Sequence, residues 1–326
     1  MNKKTRLFLL GSALTVTVGL GTGLLAYYGG LPTLASSREV GPKELDLVPA
    51  DAAIVAFANV REVMASEFRQ NLKQIVPDHD THGQDEFQRE TGIDIENDID
   101  SVIAYVGATG TADHPSGFVI IRGRFDFGRL EAKASEHERV QVEQLGTARL
   151  LRLPSNKDGK AAVLALVEPG VLMFGEEGPV KRALSHSGPS ITSNDEMMGM
   201  ISDVEGSANL WAVGKVDAIA HSAKLPEQLA TQLPQVKWFA ASSRINGGLT
   251  GTLRCEARDD EAAKNLRDVV QGFLALAKMQ AGNKPEMQSL MQSIQLSGSG
   301  TTVALSFQVP SDFINAMAAL KKPANQ

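Results

Sequence analysis

Ala52-Ala53-Ile54-Val55-Ala56-Phe57-Ala58-Asn59-Val60 and Ala208-Asn209-Leu210-Trp211-Ala212-Val213-Gly214-Lys215-Val216 lie over one another without a gap, at a constant offset of 156 positions. Ala52 meets Ala208, Ile54 meets Leu210, Ala56 meets Ala212 and Val60 meets Val216. Further on, Val63 meets Ile219 and Ser66 meets Ser222. Each copy is an apolar run of strand length that passes into a segment opening V-x-x-[VI]-x-x-S. An internal repeat at this spacing predicts two tandem, related units in the 326-residue chain.

Working outward, the first unit (49–190) reads as strand 52–60, helix 61–75 and strands 101–107 and 117–125. Helix 127–137, strands 140–153 and 161–174 and helix 178–186 follow. The second unit (191–326) reads as strand 208–216, helix 217–233 and strands 236–245 and 248–257. Helices 260–280 and 286–292, strands 294–299 and 301–309 and helix 311–321 complete it. The strands show β-branched and aromatic enrichment with period-two alternation, as in Gly117-Phe118-Val119-Ile120-Ile121. Asn246-Gly247-Gly248 and Gly298-Ser299-Gly300 supply tight turns. Helix 260–280 sets Ala262, Leu266, Val269, Val270, Phe273 and Ala277 on one face, and Asp259 is placed to cap it. Each unit opens strand–helix–strand–strand–helix–strand. The expected fold class is α+β, with ferredoxin-like antiparallel sheets carrying helices on one face.

Ahead of these units, Lys3, Lys4 and Arg6 precede an uncharged run from Leu7 to Tyr28 that closes on Tyr27 and Tyr28. About 20 apolar residues suffice for a helix to cross the hydrocarbon core, and flanking lysines stay on the cytoplasmic side. Residues 1–28 therefore read as a cytoplasmic N-terminus and transmembrane anchor, 29–48 as a tether. The C-terminal bulk is expected outside the cytosol, on a single-pass protein of the inner membrane. Cleavage after Ala35, behind Thr33-Leu34-Ala35, is the competing reading. The run exceeds the 7–15 residues usual in a cleaved signal, which favours the anchor. Gly19 and Gly23 make a G-x-x-x-G within the span, weighed as a helix-pairing stripe against a merely Gly-rich segment.

The pattern resembles a loose set of uncharacterised bacterial envelope proteins. They open their exported part with an apolar strand after Pro-Ala-Asp, here Pro49-Ala50-Asp51. They also carry a T-G-I-D…D-I segment, here Thr91-Gly92-Ile93-Asp94 through Asp98-Ile99. The resemblance implies an envelope setting and no particular activity.

Composition narrows the chemistry. The net charge of -6 gives no electrostatic reason to expect nucleic acid. A single cysteine, Cys255, rules out an intrachain disulfide and a multi-cysteine zinc site; it reads as a small buried hydrophobe. Asp78-His79-Asp80-Thr81-His82 could ligate a divalent cation, yet it lies between Pro77 and Gly83 and lacks the helical H-E-x-x-H geometry. The run Asp94-Ile95-Glu96-Asn97-Asp98-Ile99-Asp100 alternates acids as a calcium loop does. But Ile99 stands where Gly is needed and Tyr105 where the bidentate Glu belongs. A short helical turn leading into strand 101–107 is the simpler account. No G-x-S-x-G elbow or phosphate-binding loop occurs. Met197, Met198 and Met200, and then Met279, Met287 and Met291, read as core fillers, or otherwise as an adaptable binding surface. The expectation is a non-catalytic envelope module with no cofactor, binding a protein partner or small ligand. The alternative is an exported hydrolase or metalloenzyme using His79, Asp80 and His82.

Overall fold

The computed structural model describes residues 42–70, 88–89, 92–108, 116–135, 140–153, 161–218, 231–281 and 285–309. The expected span 7–28, the loop 78–83, most of helix 217–233 and helix 311–321 lie outside the described residues. Among the described residues no helix is long and apolar enough to cross a membrane. They form two compact units, within the bounds 41–61 plus 78–198 and 62–77 plus 199–326. The sequence reading set the division at 190/191.

In the first unit the strands are β1 (Ala52–Ala58), β2 (Ile99–Gly107), β3 (Gly117–Gly123), β4 (Gln141–Leu145), β5 (Ala148–Arg152), β6 (Ala162–Glu168) and β7 (Val171–Glu176). Their order is β1-β2-β3-β7-β6-β5-β4, and each neighbouring pair is antiparallel. The helices are α1 (Val60–Ala65), α2 (Ile95–Asp98), α3 (Phe127–Ser135), α4 (Glu177–Leu184) and α5 (Asp195–Glu205), α1 and α5 each crossing into the second unit. Val55, Ile120, Leu150, Val163, Ala165, Met173 and Val180 are at most 1% exposed and mark the core.

In the second unit the strands are β8 (Leu210–Lys215), β9 (Val236–Ile245), β10 (Leu249–Ala257), β11 (Gln295–Ser297) and β12 (Thr302–Val309). Their order is β8-β9-β10-β12-β11, again antiparallel throughout. Helices α6 (Asp260–Ala281) and α7 (Pro285–Ser293) sit between β10 and β11 in sequence. At the head of β8, Asn209 acts as one more rung of the ladder. Its Nδ2 donates to Ile245 O at 2.7 Å, and its Oδ1 accepts from Ile245 N at 2.9 Å.

Four expectations need correction. The split β-α-β order of a ferredoxin-like sheet is not what the strands adopt. Consecutive strands β1, β2 and β3 pair directly, as do β8, β9 and β10, so each unit opens as an antiparallel meander. Segments 140–153 and 161–174 are not single strands but hairpins, β4–β5 and β6–β7. Gly146 (φ 59°) and Gly170 (φ 83°) sit at their turns in left-handed backbone that a side chain resists. The Pro169-Gly170 dipeptide is a turn signal in its own right. The last residues of the tether are packed: 43–47 form a 3-10 helix in which Leu45 is 1% exposed, followed by Val48 at 0%. Glu44 on that turn pairs with Arg122 of β3. Finally, α5 went unread because Gly199 interrupts its pattern. Its start is nonetheless signalled by Asn194, whose Oδ1 accepts from Met197 N at 3.1 Å, and by Asp195 and Glu196 in its first turn.

Candidate functional site

The site is built on α6. Asp259 caps it as expected, its Oδ1 accepting from Ala262 N at 2.8 Å. At 1.5 Å per residue, its 22 residues run about 33 Å. The helix packs on α7, β10, β12 and β11, and its first turns bury Ala262, Ala263 and Leu266. Among the described side chains of α6 beyond Leu266, none is fully buried. The physical reason is length: β11, last in the strand order, has only three residues, or about 10 Å of strand. The second half of the helix thus has little sheet beneath it.

There a groove of about 370 Å³ opens between α6 and the edge strand, lined by Gln271, Leu274, Ala275 and Lys278 of the helix and by Ile294 and Leu296. The helical residues recur at i, i+3, i+4 and i+7, one stripe along the flank of α6. Ile294 and Leu296 are two apart and share a face of the chain. Apolar walls with one amide and one ammonium at the lip describe a surface for an apolar or amphipathic ligand, and the volume lies near the small end of known ligand sites. On another flank of α6, Leu276 and Met279 are 56% and 78% exposed.

The methionines divide. Met197 is fully buried and fills the core, whereas Met279 stands in solvent. The acidic run 94–100 is engaged in capping and pairing. Asp94 Oδ1 accepts from Glu96 N at 2.9 Å and from Asn97 N at 3.2 Å. Asp98 Oδ2 accepts from Asp94 N at 2.9 Å, and Asp100 pairs with Arg61. This is the helical turn that the sequence predicts, α2, and its carboxylates do not converge as a calcium loop requires. His79, Asp80 and His82 lie outside the described residues. Among the described residues no three His, Cys, Asp or Glu side chains are grouped to hold a metal.

A buried phenol paired with an exposed carboxylate lies outside the sequence signals. Tyr105 of β2 is 2% exposed, and its hydroxyl donates to Asp51 Oδ1 at 2.7 Å. Burial first, and then the Asp51 hydrogen bond, hold the phenol well above its usual range. Its ring lies 4.7 Å from that of Phe118. A phenol so reluctant to ionise is no proton acceptor at neutral pH; it fastens Pro49-Ala50-Asp51 to the sheet. Asn194 Nδ2 holds the same segment through Ala50 O at 3.2 Å. Cys255 is equally quiet: burial pushes its thiol up to about 12.

No protein-family model matches this sequence, and no curated protein matches it either. Solved structures of TP0453 are similar in chain path. Crystal form III matches with a TM-score of 0.48 and 9% identity, over 86% of this chain and 100% of that one. Crystal form I gives 0.46 and 8%, over 87% and 99%, and crystal form IV gives 0.43 and 10%, over 86% and 97%. At such identities and scores the likeness carries no functional information.

Proposed function

We propose that this protein is a non-catalytic module of the cell envelope, anchored by residues 7–28, whose groove beside α6 takes an apolar or amphipathic ligand. The groove itself carries the reading: Leu274, Ala275, Ile294 and Leu296 line it together with Gln271 and Lys278. Concave, mostly apolar surfaces with a few polar groups are where ligands bind. The uncharged run 7–28 behind Lys3, Lys4 and Arg6 supports the anchor, and the sequence supplies no linear catalytic motif.

A tandem duplication belongs to the same proposal. It is supported by matching meanders, β1-β2-β3 and β8-β9-β10, with the offset-related strands β1 and β8 at equivalent places in their orders. The test of the groove is saturable binding of an environment-sensitive apolar dye to the detergent-solubilised chain. Leu274→Asp abolishes it while leaving the thermal midpoint unchanged. Dye binding that ignores Leu274→Asp refutes the site. The anchor is tested separately: the native chain resists carbonate extraction from membranes and retains residues 7–28, whereas a mature N-terminus at Ser36 overturns it.

A further inference from the structure

The outward stripe of α6 changes character half-way along. Glu261, Asn265, Asp268, Gly272, Leu276 and Met279 follow one another at three- and four-residue spacing, and all are exposed. They lie on the side away from the buried Ala263 and Leu266. The first three are polar, and the last three carry neither charge nor hydrogen-bonding side chain. Leu276 and Met279 stand 56% and 78% exposed, large apolar groups on a surface that a monomer has no use for leaving bare.

Gly272 marks the switch, in mid-helix, where glycine costs helix stability. Outside the helix backbone and its two neighbours, no atom of the chain lies within 4 Å of where a Cβ would stand. The chain's own packing therefore does not require the missing side chain. What the glycine supplies is a notch open to solvent, four residues before the projecting Leu276.

A notch and a knob on one face are self-complementary. A second α6 laid antiparallel across the first, about a twofold axis, seats Leu276 of each helix in the Gly272 notch of the other. Val269 then faces the second copy's Met279, and Asp268 comes within a turn of the second copy's Lys278 on the same flank. Asp268 is accessible for that pairing: its side chain is 63% exposed and Lys264, one turn back, is 3.9 Å away. A parallel pair would instead set Asp268 against Asp268 and Lys278 against Lys278. An anionic lipid surface is disfavoured as the occupant, because Glu261 and Asp268 continue the stripe where lipid-seeking helices carry Lys and Arg.

We propose that two copies of this chain associate through the C-terminal halves of α6, antiparallel, with Leu276 of each seated at Gly272 of the other. A single helix pair is a small interface, so the association is reversible and concentration-dependent. It does not depend on the groove, which lies along the flank of Gln271, Leu274 and Lys278.

The experiment uses the full-length chain in the presence of phosphatidylethanolamine–phosphatidylglycerol vesicles, with one cysteine added at a time; the enclosed thiol of Cys255 stays silent. In the antiparallel pair two Ala275→Cys thiols are offset by about 3 Å along the helix axes, whereas two Glu261→Cys thiols are about 39 Å apart. Mild oxidation should give covalent dimer from Ala275→Cys at least tenfold faster than from Glu261→Cys. Adding Gly272→Lys, which fills the notch with a good helix former, should bring the Ala275→Cys rate down to the Glu261→Cys rate while the thermal midpoint holds or rises. Adding Leu276→Asp should do the same. Equal rates for the two cysteines mean random collision or a parallel pair and overturn the proposal. So does an Ala275→Cys rate indifferent to Gly272→Lys. Quenching of a fluorophore at Met279→Cys by spin-labelled lipid would give the face to lipid and overturn it as well.

Discussion

Asn209→Ala tests how the second unit is closed at the head of β8. Asn209 is 3% exposed, and its amide satisfies both backbone groups of Ile245 at 2.7 and 2.9 Å. Alanine removes both bonds and leaves a buried N–H and a buried C=O. Each stranded group costs about 1–3 kcal/mol, so the expected loss is roughly 2–6 kcal/mol. With a urea dependence of about 2 kcal/mol per molar, the midpoint falls by roughly 1–3 M. Trp211 and Trp238, the only two tryptophans, lie in β8 and β9. Intrinsic fluorescence therefore reports this unit selectively. Lys264→Ala is the control; Lys264 is 75% exposed and its contact with Asp268 is 3.9 Å. It should change the stability by less than about 0.5 kcal/mol. An Asn209→Ala shift as small as the control's would refute the claim that the amide completes the ladder.

Three further outcomes are expected. Gly117→Ala should destabilise the first unit severely, because a Cβ there would sit 2.1 Å from Tyr105 O in the neighbouring strand; urea unfolding of the variant, followed by far-UV circular dichroism, measures it. His186→Gly should stabilise by up to about 1 kcal/mol, since His186 holds φ 49° just past α4, where Ser187 N reaches back to Arg182 O at 3.0 Å; calorimetry would show a raised midpoint, and a lowered one would contradict this. Lys181→Met should lose about 0.5–1 kcal/mol near neutral pH and nothing in strong acid. Burial opposes the charge of Glu177, but hydrogen bonds and charges from Lys181 and Arg152 outweigh it and hold the carboxyl below its usual range. Glu143 and then Glu177 raise Lys181. A lowered carboxyl pKa contributes stability above its unfolded value of about 4.3 and loses it as pH falls through the folded value. A raised ammonium pKa contributes below its unfolded value of about 10.4 and fades as pH rises through the folded one. The difference between parent and variant should therefore be widest between those limits, as paired urea titrations across pH would show.

Local order was legible in the sequence because its causes are local. Alternation gave β9 its span, Val236–Ile245, to the residue. The 3.6-residue stripe and Asp259 gave α6, Asp260–Ala281, to within a residue at its C-terminal end. The acids of 94–98 announced a capped turn, and Asp94 caps it. The alternating run 140–153 hid its turn because Gly146 alone interrupts it, whereas Pro169-Gly170 was there to be read.

What the sequence alone determined, then, is most of the strands and helices, the turn between β9 and β10 and the sidedness of the long helix, all dictated by neighbours a few residues apart. Only the tertiary structure decided which strands pair. β3 takes β7 rather than β4 as its neighbour, a choice made by side chains some 50 residues apart in sequence, Val119 against Phe174 among them. It also decided the groove, which no motif encodes. A 22-residue helix laid against a three-residue edge strand leaves apolar surface uncovered, and that mismatch exists only once the two elements are packed together.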